Sequence, residues 1–148
     1  YQLNSVTIPN SVKSIGNGAF EKCSGLTSVN ISDLEAYCNI DFLDKSLSTS
    51  YDLFVNGELL TLLIFPESNN IVGYRNFIRC RSLTDVYIHD NVSCIESYAF
   101  NQCVNISNLY IGNNVKKIYG DVLRHYRRIA EGKQAICYLP TVSSSVAT

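Results

Sequence analysis

The sequence predicts a right-handed, β-rich α/β solenoid of five to six coils, with a parallel sheet and short helices. Three observations lead to this prediction. A Leu-x-x-Val-x-Ile motif, or a close variant of it, recurs at a spacing of 23 residues from Leu60 to Leu83 and from Leu83 to Ile106. A Phe-x-x-Cys motif recurs inside the same unit. Within each strand motif apolar and polar side chains alternate, which is typical of a strand with one buried face.

The strand motifs divide the chain into repeated coils. One strand with a single apolar face cannot bury that face alone, so we expect successive strands to stack about 4.8 Å apart in a parallel sheet. Coils 1 to 5 begin at Leu3, Leu26, Leu60, Leu83 and Ile106. The step from coil 2 to coil 3 is 34 residues, which is one 23-residue unit plus 11 inserted residues.

The second half of each coil repeats as well. A Val-x-x-Ile motif begins at Val12, Val92 and Val115. The aromatic ladder that we expect inside the solenoid consists of Phe20, Phe77 and Phe100, and the thiol ladder beside it of Cys23, Cys80 and Cys103. Coil 3 departs from this pattern at residues 69–73, where we expect an altered local geometry.

Residues 3–26 resemble the unit Leu-x-x-Val-x-Ile-Pro-x-x-Val-x-x-Ile-Gly-x-x-Ala-Phe-x-x-Cys-x-x-Leu of the BspA-like leucine-rich-repeat family. The resemblance is good over about residues 60–119 and partial elsewhere. Members of this family are largely secreted or surface-exposed proteins of bacteria and some protists. The resemblance implies adhesion to host matrix proteins or to other cells, and it implies no catalytic residues.

An excursion at about residues 32–59 interrupts the repeat. Ser32 and Asp33 are suited to cap a helix, and the sequence predicts a short one at about 33–42. Residues 52–60 predict a hairpin, because Asn56-Gly57 is a favoured pair for a type I′ turn. We interpret the excursion as an elaborated coil, and the alternative is a loop shaped for a ligand.

The end of the chain is predicted to close the repeat domain, which spans residues 1–140. We expect a helix over 120–133 and a last strand at 135–140. Residues 141–148 are uncharged and rich in Ser, Val and Thr, so we interpret them as a C-terminal tail that is a linker or a frayed end. The chain has no Met, and we therefore expect it to be a processed or excised piece of a longer protein.

Composition excludes several classes of function. Twelve basic and 13 acidic residues give a net charge of −1, which argues against electrostatic binding to nucleic acid or to an anionic membrane. No apolar run approaches the length of a transmembrane helix, so we expect no membrane insertion. No catalytic or phosphate-binding motif occurs, and we predict no enzyme activity, no catalytic residues and no cofactor.

The six cysteines do not form a C-x-x-C pair, which argues against a zinc site, and we predict no metal. We interpret them as buried free thiols. The alternative is at least one disulfide, for which Cys80 and Cys103, on adjacent coils, are within reach.

The outward face of the strands is the candidate binding surface. Alternation places Leu62, Ile64, Tyr87 and Tyr110 on it as an apolar and aromatic strip, with Asp85 and Asn108 to fix the register of a partner. The alternative is that the hairpin or a neighbouring chain covers the strip.

The sequence is therefore compatible with two functions. The first is a protein-binding module of a secreted or cell-surface adhesin-like protein. The second is a structural spacer with no ligand of its own, which would self-associate through its exposed N-terminal strand.

Overall fold

A computed structural model describes residues 3–119, 121–122, 136–138 and 146–147, and for the last two ranges it describes the backbone. The helix predicted over 120–133 lies outside the described residues, apart from 121–122. The elements in chain order are β1 (Ser5–Thr7), β2 (Ser14–Ile15), β3 (Ser28–Ile31), α1 (Leu34–Cys38), β4 (Asp41–Phe42), β5 (Asp52–Val55), β6 (Glu58–Leu59), β7 (Leu62–Ile64), β8 (Ile71–Val72), β9 (Asp85–Ile88), β10 (Cys94–Ile95), β11 (Asn108–Ile111), β12 (Lys117–Tyr119), β13 (Ile136–Tyr138) and β14 (Val146–Ala147).

The strands of the Leu-x-x-Val-x-Ile motif form the front face of a parallel solenoid. They lie in two blocks, β1-β3-β5 with the hairpin strand β6, and β7-β9-β11-β13. The register repeats the spacing of the sequence, since Ser5 pairs with Ser28 and Asp85 pairs with Asn108. The predicted class, a leucine-rich-repeat solenoid with parallel strands, is confirmed.

The Val-x-x-Ile motifs form a second sheet, the side face. It also lies in two blocks, β2-β4 and β8-β10-β12-β14, and all of its strand pairs are parallel. Each side-face strand of coils 3, 4 and 5 begins nine residues after the front-face strand of the same coil. This constant step gives these three coils the same cross-section, so their equivalent side chains stack into ladders.

The core lies between the faces and is filled by inward ladders. Phe77 and Phe100 are buried and stack with ring centroids 5.6 Å apart, as the repeat predicts. Cys80 and Cys103 are buried beside them. The equivalent residue of coil 1, Phe20, is only partly buried, so the aromatic ladder is less well packed there.

The predicted helix in the excursion is present but ends earlier than expected. Asp33 caps α1 by accepting a hydrogen bond from the N–H of Ala36, 3.2 Å away. The helix ends at Cys38 instead of continuing to residue 42. The reason is that Asp41 and Phe42 form β4, which pairs with β2 and so restores the side-face strand of coil 2.

The predicted hairpin is confirmed. Asn56 and Gly57 both have positive φ, 51° and 82°, as a type I′ turn requires. The strand β5 does more than support the hairpin, because it continues the front face in parallel register with β3, from the Ser28–Asp52 pair to the Ile31–Val55 pair.

The chain end confirms one expectation and corrects another. The predicted last strand at 135–140 is β13, which pairs in parallel with β11. Within the segment predicted as a tail, 141–148, residues 146 and 147 are a strand rather than a linker, since β14 pairs with β12. β14 begins ten residues after β13, close to the step in the other coils, so it follows the repeat.

Candidate functional site

The predicted binding residues lie in two rows on the front face. We call this surface the front strip, and it consists of Leu62, Ile64, Asp85, Tyr87, Asn108 and Tyr110. Strand register places them side by side, with Leu62, Asp85 and Asn108 in one row and Ile64, Tyr87 and Tyr110 in the other. The sequence pattern therefore predicted the neighbours within this surface correctly.

The front strip is open in the folded chain. Leu62 and Ile64 are 51% and 59% exposed, and Tyr87 is 43% exposed. The hairpin therefore does not cover these side chains, which was one of the alternatives for this surface. Exposed large apolar side chains in one contiguous patch are typical of interaction surfaces.

The two tyrosines of the front strip hold each other in place. Their rings stack with centroids 4.6 Å apart and an interplanar angle of 5°. Desolvation, and then the proximity of Tyr87 and Asp90, raises the pKa of Tyr110, so its hydroxyl stays protonated at neutral pH. Rings that are already ordered lose less conformational entropy when a partner covers them.

The polar end of the front strip carries an oriented negative charge. Asn108 Nδ2 donates to one carboxylate oxygen of Asp85 at 2.7 Å, and Thr84 Oγ1 donates to the other at 2.8 Å. These two hydrogen bonds lower the pKa of Asp85, that of Asn108 more than that of Thr84. Asp85 is thus an ionised acceptor in a defined orientation.

Two further apolar residues lie on the front face outside the residues predicted from the sequence. Phe54 lies on the front face in register with Asn30, and Leu59 lies opposite it on β6. Leu59 is 47% exposed, while Phe54 is half-buried. The alternation in Asp52-Leu53-Phe54-Val55 was the available signal, because it places Phe54 on the face opposite to the buried Leu53.

The outward positions of β1 and β3, at the N-terminal end of the front face, are polar. Asn30 Nδ2 donates to Ser5 Oγ at 2.9 Å and to the carbonyl of Val6 at 3.2 Å, which links β3 to β1. The strand β1 pairs with β3 on one side, and no other described strand pairs with it. Self-association through this edge stays a prediction.

Five cysteines whose side chains the structure describes are free thiols: Cys23, Cys38, Cys80, Cys94 and Cys103. Cys38, Cys80 and Cys103 are buried, as predicted, whereas Cys23 and Cys94 are partly exposed. Burial raises the pKa of Cys80 to about 11. Within the described ranges, no three His, Cys, Asp or Glu side chains lie together in a way that could hold a metal ion. The same residues contain no helix long and apolar enough for a membrane span.

Comparisons with known proteins agree with this architecture. Residues 1–130 match the family model described as BspA type leucine rich repeat region, in six copies. The fold is similar to that of a leucine rich cell surface protein from Faecalibacterium prausnitzii, with a TM-score of 0.51 and 18% identity. The match covers 96% of this chain and 33% of that one, so this chain spans a third of that protein's length. At this identity the likeness shows the fold alone. No curated protein matches the chain.

Proposed function

The chain belongs to the BspA-type leucine-rich-repeat family, and on this premise we propose that it is a non-catalytic protein-interaction module of a secreted or cell-surface protein. Its partner would be a host matrix protein, a surface glycoprotein or another cell. Repeats of this family are generally scaffolds for protein contacts, and the structurally similar protein from Faecalibacterium prausnitzii is a cell surface protein. The first observation supports a role in protein binding, and the second supports a location at the cell surface.

The front strip is the observation that carries the proposal. Stacked tyrosines and two aliphatic side chains, Leu62 and Ile64, face solvent on a rigid sheet. Tyrosine is enriched in binding hot spots because it buries a large area and keeps a polar tip. Nothing in the packing of the core requires apolar residues at these outward positions.

Docking would proceed through both rows. A partner that covers Ile64, Tyr87 and Tyr110 removes their apolar surface from water, which is the main favourable contribution. Asp85 and Asn108 would then accept and donate hydrogen bonds at the edge of the contact, which fixes orientation more than it adds affinity.

The test is label-free binding to a panel of matrix and plasma glycoproteins, with the double variant Tyr87→Ser/Tyr110→Ser beside the native chain. Truncation of a hot-spot residue costs about 2 kcal/mol or more, so we expect the double variant to bind at least about thirtyfold more weakly. Tyr119→Ser is the matched control, because Tyr119 lies on the side face. Equal affinity of the native chain and the double variant would exclude the front strip as the site.

The spacer hypothesis is favoured by one outcome of the same experiment. If the native chain binds nothing on the panel, the domain would serve to display neighbouring parts of a longer protein. Self-association through β1 would then appear as a concentration-dependent mass in light scattering.

A further inference from the structure

A groove opens on the side face between coils 2 and 3. Its volume is about 520 Å³, and it is lined by residues 38–43 on one wall and by residues 68–71, 73 and 74 on the other. The walls include β4 and β8, which do not pair with each other. At the corner that follows, Tyr51 and Cys80 form a direct parallel bridge. The two coils are therefore joined at one corner and separated on the side face.

The hairpin explains the separation. Between β3 of coil 2 and β9 of coil 4, the front face has two parallel strands, β5 and β7, where a regular coil supplies one. The side face has no additional strand between β4 and β8. The front face thus contains one parallel strand more than the side face, besides the antiparallel β6, and the side face is left with a gap.

The contacts that join the two walls of the groove are made by side chains. The Asp44 carbonyl accepts a hydrogen bond from the N–H of Gly18 in coil 1 at 2.9 Å, whereas from coil 3 the Tyr74 hydroxyl donates to the Asp44 carboxylate. Likewise Asn69 Nδ2 donates to Asn39 Oδ1 at 2.9 Å. On the side face, side chains bridge this boundary, and β4 and β8 form no strand pair such as joins the other side-face strands of neighbouring coils.

The backbone of the two walls presents strand-forming groups to the groove. On β4, the N–H groups of Asp41 and Leu43 donate to β2. Because successive residues of a strand point their N–H and C=O groups to opposite sides, those of Phe42 point into the groove. On β8, the carbonyl of Val72 accepts from Glu96, so the N–H and C=O of Ile71 point into the groove from the other side.

The side chains of the groove define what it would accept. Phe42 and Val72 point inward and are buried, so little room is left on the inner side. Leu43 and Ile71 point outward and are 48% and 45% exposed. An inserted strand would therefore need a small residue on its inner side and an apolar residue on its outer side.

We propose that this groove binds an extended peptide segment of another protein, which adds a strand between β4 and β8. An extended backbone supplies a donor and an acceptor to each wall, and this is the mode of recognition in which a peptide completes a sheet at an open edge. The bound strand would make the side face continuous from β2 to β14. This site is separate from the front strip and does not depend on the function proposed for that surface.

The first measurement is amide hydrogen exchange in the free protein, residue by residue. The amides of Phe42 and Ile71 should exchange much faster than those of Leu43 and Glu96, which donate to backbone carbonyls of neighbouring strands. Similar protection of all four amides would mean that the walls are already satisfied, and this would overturn the proposal.

The second measurement uses peptides selected on the native chain from a phage-displayed library of random peptides and then synthesised. We expect the selected peptides to slow exchange at Phe42 and Ile71 and to bind the Tyr87→Ser/Tyr110→Ser variant unchanged. Failure to select any peptide would overturn the proposal, as would peptides that protect the front strip instead.

A matched pair of variants tests the backbone contact itself. Ile71→Pro and Ile71→Ala both remove the exposed side chain, but only the proline removes the N–H that points into the groove. One hydrogen bond fewer should make peptide binding about two- to tenfold weaker in Ile71→Pro than in Ile71→Ala. Equal binding by two folded variants, with folding checked by circular dichroism, would refute strand addition at β8.

Discussion

A buried pair of tyrosines holds the corner at which coils 2 and 3 meet. The hydroxyls of Tyr37 on α1 and Tyr51 are 2.9 Å apart, and both side chains are fully buried. Burial raises the pKa of each well above its ordinary value, so both hydroxyls stay protonated and the bond between them is neutral. We expect single Tyr→Phe substitutions here to be destabilising and the double substitution to be milder than their sum.

The magnitudes follow from which hydroxyl is left without a partner. Tyr51→Phe leaves the hydroxyl of Tyr37 buried and unpaired, which costs about 1–3 kcal/mol. Tyr37→Phe costs less, about 1 kcal/mol, since the hydroxyl of Tyr51 keeps a weak partner in the thiol of Cys80. The double variant replaces both groups by apolar ones of the same shape and should lose less than about 1 kcal/mol.

The assay is urea unfolding followed by far-ultraviolet circular dichroism, because the chain has no Trp and the substitutions remove Tyr. We expect a coupling free energy of about 1–2 kcal/mol between the two positions. Tyr87→Phe is the control, because Tyr87 is 43% exposed. Removal of its hydroxyl should change the free energy of unfolding by less than about 0.5 kcal/mol. Additive single effects would refute the hydrogen bond.

Two further predictions concern packing and thiol chemistry. A Cβ on Gly112 would lie 2.5 Å from the carbonyl oxygen of His89, so Gly112→Ala should lower stability by about 1–3 kcal/mol or more in urea unfolding, while Gly16→Ala, with nothing within 4 Å, should not. Equal stability of the two variants would refute this close approach. Burial raises the pKa of Cys80 to about 11 and that of Cys103 well above its ordinary value. Alkylation of both at pH 8 should therefore be about 100-fold slower in the native chain than in urea, and similar rates would contradict the buried thiol ladder.

The repeat made most of the fold predictable from the sequence. When a strand motif returns every 23 residues, one arrangement buries the apolar face of every strand, and in it equivalent residues stack in register. For that reason Ile64, Tyr87 and Tyr110 could be placed beside one another, and the structure confirms these neighbours. The parallel direction followed from the same argument, since each coil returns the chain to the same face.

Other features were less accessible to sequence reasoning, for identifiable reasons. Local propensity extended α1 to residue 42, but pairing of β4 with β2 ends the helix at Cys38. Composition made residues 141–148 resemble a linker, whereas Val146–Ala147 adds to the side face through its register with β12. In both cases the structure depends on backbone pairing with a strand of a neighbouring coil. The sequence of one segment alone does not reveal which strand it pairs with.

The sequence by itself determined the solenoid, its period, its inward ladders and the outward position of the front strip, because each depends on alternation and spacing along the chain. The tertiary structure alone decided that the hairpin leaves the front strip open and that coils 2 and 3 separate into a groove. The physical reason is that both depend on how many strands each face holds. The hairpin segment adds strands to the front face and none to the side face, which leaves unpaired edges at β4 and β8 that the local pattern of neither strand shows.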